Sequence, residues 1–124
     1  IFIYLCCMKL FVYGTLKSGF ENHHFLENST LLEKDVMLDG FSLYLFIKIP
    51  FAVKDSEEEF IIGEIWDINS DTEQKLDILE GVDSGVYVKY YTKYYFEDML
   101  IYITPEKKVE SIKKMKKIKN GIFL

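Results

Sequence analysis

Lys9-Leu10-Phe11-Val12-Tyr13-Gly14-Thr15-Leu16 is the stretch from which the rest of the chain is read. Leu10, Phe11 and Val12 form strands readily and no polar residue interrupts them, so the run predicts a buried strand that stops at a Tyr-Gly-Thr-Leu turn. Gly14 lets the chain turn with positive φ and lets a ligand approach bare backbone. Thr15 and Leu16 then carry peptide N–H groups that have left the sheet ladder. Donors of that kind hold a carboxylate or a developing oxyanion. A plain single-glycine turn fits the same residues, so the weight falls on a second stretch, Leu76-Asp77-Ile78-Leu79-Glu80-Gly81.

Outward from the first stretch, Lys17-Ser18-Gly19-Phe20 is a loop by composition, and Asn22 is placed to cap a short turn over His23–Leu26. Adjacent histidines on a helix point about 100° apart, and no Cys or carboxylate stands at zinc-like spacing from His23 and His24, so no metal is expected. Leu31–Leu38 is partly alternating, with Leu32, Val36 and Leu38 inward and Glu33, Lys34 and Asp35 outward or in a bend. Asp39-Gly40 is a hairpin signal before a strand over Phe41–Ile47, which Pro50 ends. Asp55–Glu59 is an acidic loop. Phe60–Ile68 is a strand whose Gly63 marks a bulge or a close approach.

Ser70 as N-cap, Glu73 completing a capping box and Gly81 as the stop predict a helix over about Asp71–Glu80. Val86–Phe96 is an aromatic strand that Asp98 turns back into Met99–Thr104. Val109, Ile112, Met115 and Ile118 recur every third residue and predict a lysine-rich amphipathic helix within residues 105–124. Strands with scattered helices and hairpins give an α+β class with a small curled or closed sheet, one domain over residues 8–124.

The 124 residues carry a formal charge of −5, which argues against nucleic acid as a partner. The charge is uneven: residues 105–124 hold seven lysines against two glutamates, and the chain has no arginine. The basic tail invites a membrane-surface or acidic-partner role, but a solvated face packed on an acidic domain fits better. Cys6-Cys7 makes neither a disulfide framework nor a zinc set, so a reducing, cytoplasmic setting is expected. The apolar run Ile1–Cys7 is too short to span a bilayer and reads as a non-native leader ahead of Met8.

Glu80 is the residue suited to chemistry. A carboxylate in the last turn faces the negative end of the helix dipole, and Asp77 adds like-charge repulsion from three residues back. Burial acts in the same direction, and all three raise the carboxyl pKa toward the range of a general base. An ordinary exposed Glu at a frayed helix end is the plainer alternative.

Taken together, Tyr13-Gly14-Thr15-Leu16, Gly19, Asn22-His23, Ile49-Pro50, Gly63-Glu64-Ile65-Trp66, the Leu76–Gly81 segment and Tyr87 resemble the γ-glutamylcyclotransferase-like family. In pattern they are most like its compact γ-glutamylamine cyclotransferase branch. The resemblance spans roughly Lys9–Thr104. It implies a small mixed or antiparallel β-barrel flanked by short helices, and a metal- and cofactor-independent enzyme of lyase or acyltransferase class. That enzyme would release 5-oxoproline from a γ-glutamyl-amine or γ-glutamyl-amino-acid substrate. It further implies Glu80 as catalytic acid/base and Tyr13, Gly14, Thr15 and Leu16 as the substrate-binding turn, with Tyr87 lining the pocket. Lys89 stands where the family often has Arg. A non-catalytic metabolite-binding protein of the same fold is the alternative function.

Overall fold

A computed structural model describes residues 8–54 and 59–124; the leader read at residues 1–7 and most of the acidic loop lie outside the described residues. In chain order the elements are β1 (Met8–Val12), β2 (Thr30–Asp39), β3 (Phe41–Phe46), β4 (Ile49–Lys54), β5 (Phe60–Ile68), α1 (Ser70–Leu79), β6 (Val88–Tyr94), β7 (Glu97–Ile103), α2 (Val109–Ile112) and β8 (Lys116–Lys117), with 3-10 turns at His23–Leu26 and Glu106–Lys108.

β1 is the middle strand of a five-stranded sheet of order β2-β5-β1-β7-β6. It pairs antiparallel with β5, from Met8 opposite Ile68 to Val12 opposite Glu64, and parallel with β7 through Lys9–Met99 and Leu10–Leu100. Both faces of β1 are covered, which is why its sequence is apolar without alternation. Leu10 and Val12 join one core with Trp66, Ile68, Leu76 and Leu100. Phe11 and Tyr13 join the other with Leu43, Ile61, Ile65 and Ile101. Full burial of each such aliphatic or aromatic side chain contributes about 1.5–3 kcal/mol. Gly63 is the close approach expected of it: a Cβ there would stand 2.1 Å from the Val12 carbonyl oxygen.

The α+β class holds, but the expected barrel is not closed. β4, β3 and β8 form a separate three-stranded sheet. β3 spends both edges on β4 and β8, and among the described residues a single backbone–backbone bond, Thr104 N to Ala52 O at 2.9 Å, ties the end of β7 to β4. Side chains rather than a ladder fill the seam between the sheets.

Several boundaries move for local reasons. Pro50 does not end a strand; it sits inside β4 opposite Leu45, on an edge strand where a missing N–H is tolerated. The turn before it is Ile47-Lys48, both at positive φ (46° and 67°), without the Gly or Asn that such hairpins favour. Leu32 is 42% exposed rather than inward, because β2 slips register on either side of Glu33 and passes through positive φ at Asp35. The β6–β7 hairpin turns at Tyr95-Phe96, and Asp98 lies in β7 paired with Lys93.

The long C-terminal helix is also corrected. Helix Val109–Ile112 is one turn, and Lys116–Lys117 adds a short strand to β3. A strict three-residue repeat drifts about 60° per step around an α-helix, so the four apolar residues never make one stripe. Ile112 is buried with the first core and Ile118 packs on the second.

Candidate active site

Glu80 is positioned by the way α1 begins and ends. The helix is capped by Asn69, one residue before the expected Ser70: the Asn69 side-chain oxygen accepts from Thr72 N at 2.8 Å. Leu76 is fully buried and anchors its inner face. Gly81, at φ 63°, ends it as expected. Its N–H donates to Ile78 O and that of Val82 to Asp77 O, the paired bonds that close a helix on a left-handed glycine. The chain then folds back, with Val86 against Gly81, and brings Tyr87 alongside Glu80.

At the other end of the site, β1 runs out into the Tyr13–Leu16 turn. Gly14 is required there, though not for positive φ. A Cβ on it would stand 2.6 Å from Pro50 Cγ, so β4 can approach only a glycine. Asn22 does not cap its turn; its N–H donates to Thr15 O and its side-chain amide to Thr15 Oγ1, both at 2.9 Å. His23 braces the loop from behind, with Nδ1 3.0 Å from Leu16 O and the ring against Trp66. Buried Glu64 accepts from Ser18 N and from Trp66 Nε1. Lys17 is buried too, its ammonium donating to Phe123 O at 2.7 Å. The amides of Thr15 and Leu16 donate to no acceptor among the described residues.

Tyr13, Gly14, Thr15, Leu16, Glu80 and Tyr87 all line one cavity of about 270 Å³. The same cavity is lined by residues the sequence reading left out as site residues, among them Glu21, Phe51, Val86 and Tyr102. Nothing in the local sequence marks Tyr102, an aromatic in an aromatic-rich hairpin. Pro50 and Ile49 are signalled only through the family pattern. Lys89 is not in the lining; its ammonium bonds the carboxylates of Glu73 and Asp77 on α1. Among the described residues no group of three or more His, Cys, Asp or Glu is arranged to hold a metal ion.

Burial pushes the Glu80 carboxyl up to about 7. The expected repulsion from Asp77 does not contribute: Asp77 accepts from Tyr102 at 2.7 Å and from Lys89 at 3.1 Å. Three phenols surround the site and each gives its proton elsewhere. Tyr13 donates to Tyr102 O at 2.6 Å, Tyr87 to Pro50 O at 2.7 Å, and Tyr102 to Asp77. No hydrogen bond or ion pair to the Glu80 carboxylate is made among the described residues. Tyr87, stacked on Phe51, is pushed well above the usual phenol range, first by burial and then by the facing Glu80 charge. A partly buried carboxylate near neutrality, in a cavity shared with the Tyr13–Leu16 turn, is an arrangement for moving a proton next to a carbonyl.

The profile of the family described as gamma-glutamyl cyclotransferase, AIG2-like, matches residues 10–121. The chain belongs to this family. Among its relatives, MJ1514 of Methanocaldococcus jannaschii is 36% identical over 73 residues, covering 58% of this chain and 60% of that protein. The gamma-L-glutamyl-butirosin B gamma-glutamyl cyclotransferase of Niallia circulans is 31% identical over 72 residues, covering 58% of this chain and 45% of that protein. The matches thus span less than two thirds of the length of these relatives. In three dimensions the solution structure of ytfP from Escherichia coli superposes with a TM-score of 0.71 at 28% identity, over 94% of this chain and 96% of that one. An AIG2-like protein from Mus musculus shares the cyclotransferase fold with a TM-score of 0.74 at 18% identity, over 91% and 86% of the two chains.

Proposed function

We propose that the protein is an intramolecular cyclotransferase that releases 5-oxoproline from a γ-glutamyl-amine or γ-glutamyl-amino acid, with Glu80 as general base and then general acid. One observation carries the reading: the Glu80 carboxylate, unpaired among the described residues and pushed up to about 7, shares a cavity with the Tyr13–Leu16 turn.

The α-amine of a γ-glutamyl compound is an ammonium at neutral pH and has no lone pair with which to attack. Glu80 takes its proton. The free amine adds to the γ-carbonyl carbon and closes a five-membered ring, while the carbonyl oxygen takes up negative charge. The amides of the turn are the available donors for that oxygen or for the substrate carboxylate. Collapse breaks the bond from the γ-carbon to the leaving nitrogen, and Glu80 returns its proton to that nitrogen. Nucleophile and electrophile belong to one molecule, so the protein's task is to hold it bent. No protein nucleophile and no cofactor is used in any step.

The test is a panel of γ-glutamyl compounds assayed for 5-oxoproline. Glu80→Gln keeps the shape of the side chain and removes the base. Its expected effect is a loss of about 10²–10⁴-fold in turnover with substrate affinity largely retained. Full turnover by that variant removes Glu80 from the mechanism, and a wild type that turns over none of the panel removes the cyclotransferase reading.

A further inference from the structure

The lining of the cavity is one-sided in charge. Its ionisable acids are Glu21 and Glu80, and it includes no Lys, Arg or His. Lys89, on β6, is committed to Glu73 and Asp77 on α1. Every γ-glutamyl substrate brings one carboxylate on the glutamyl unit, and the free amides of Thr15 and Leu16 suffice for one. A leaving group with a second carboxylate finds no partner and faces two acids.

Glu21 is exposed while lining the cavity, so it stands where the cavity meets solvent. Ile49, Leu79 and Val86 are likewise partly exposed and line it, giving the opening an apolar rim. With the glutamyl unit held between Glu80 and the turn, the leaving amine extends toward this rim. A methylene chain there would pack on the three aliphatic side chains, and a cation at its far end would find Glu21 as the exposed acid of the same lining.

Resting on the cyclotransferase reading, we propose that Glu21 is a specificity-determining residue that selects leaving amines carrying a second, positive charge, so that the favoured substrates are mono-γ-glutamyl diamines or polyamines over γ-glutamyl amino acids. Glu21 acts on the distal end of the substrate and takes no part in the proton transfers at Glu80.

Three γ-glutamyl compounds test this, built on a short linear diamine, a linear alkylamine and a linear ω-amino acid of matched length. The wild type is expected to rank them in that order by kcat/KM, each step being about two- to fivefold, as for a solvent-exposed charge pair. Added salt compresses the ranking. Glu21→Gln shrinks the ratio of diamine to ω-amino acid, and Glu21→Lys reverses it; circular dichroism checks that both variants are folded. A ratio unmoved by Glu21→Lys, or a wild type that prefers the ω-amino acid, overturns the proposal while leaving the cyclotransferase reading intact. If the wild type turns over none of the three, that reading fails. Dissociation constants of the same compounds, measured by calorimetry, then decide the present one: the same ranking supports it, and equal or absent binding overturns it.

Discussion

Glu80 titrates near neutrality because of what surrounds it and what does not touch it. Its folded pKa of about 7 lies above the ordinary 4.5, so the native protein holds this proton more tightly than the unfolded chain does. The sign follows. Near pH 4 the group is neutral in both states and costs nothing. As pH rises from about 4.5 to about 7, ionisation becomes progressively more costly in the native state, and above that the penalty levels off at roughly 3 kcal/mol as an upper figure. Glu80→Gln is therefore expected to be more stable than wild type near pH 8 and indistinguishable near pH 4, by denaturant titration at the two values. On the proposed mechanism activity runs the opposite way: kcat/KM is expected to fall about tenfold per unit below pH 7 as Glu80 is protonated, in a pH–rate profile. The position of Glu80 is legible in the sequence, because Gly81 announces the helix stop. The direction of its pKa is legible as well. The cause is only partly so, since Asp77 and its partner Tyr102 lie 25 residues apart and their hydrogen bond cannot be read from local sequence.

At the scale of elements, turns are where the sequence misleads. Ile47-Lys48 and Tyr95-Phe96 turn hairpins although Ile47, Tyr95 and Phe96 favour strands, and Phe96 is left 95% exposed. The register of the flanking strands, set by long-range pairing, overrides local preference there. Gly14 is singled out in the sequence for a positive φ that it does not adopt, and the constraint on it comes from Pro50. Gly14→Ala is accordingly expected to push β1 and β4 apart, costing about 1–3 kcal/mol of stability and weakening substrate binding, read by thermal unfolding and KM. The helix start is legible to within one residue. Asn69→Ala is expected to cost about 1 kcal/mol, whereas Ser70→Ala, which removes no capping oxygen, stays within about 0.5 kcal/mol. A pair of equal losses in denaturant titration would return the cap to Ser70.

For the whole molecule, the α+β class and the order of elements through β7, with β4 excepted, follow from hydrophobic patterning, and the sheet arrangement does not. Nothing in the composition of β1 announces that it lies parallel to β7, and nothing in Phe41–Phe46 says that β3 will be paired on both sides within a small sheet of its own. Closure of a barrel is decided by hydrogen bonds between distant strands, which a one-dimensional pattern does not contain. The division into two sheets bears on function because the cavity straddles it: Tyr13 and Tyr102 come from the side of the large sheet, Pro50 and Phe51 from the small one. Any molecule seated there touches both halves across a boundary where Thr104 N donates to Ala52 O, and where the Tyr13 hydroxyl accepts from Ala52 N and donates to Tyr102 O. Occupancy and the breathing of the two halves are then one coupled equilibrium. On the proposed function, the amide of Thr104 should exchange with deuterated solvent more slowly when 5-oxoproline fills the cavity, and whatever loosens these bonds should hasten its departure.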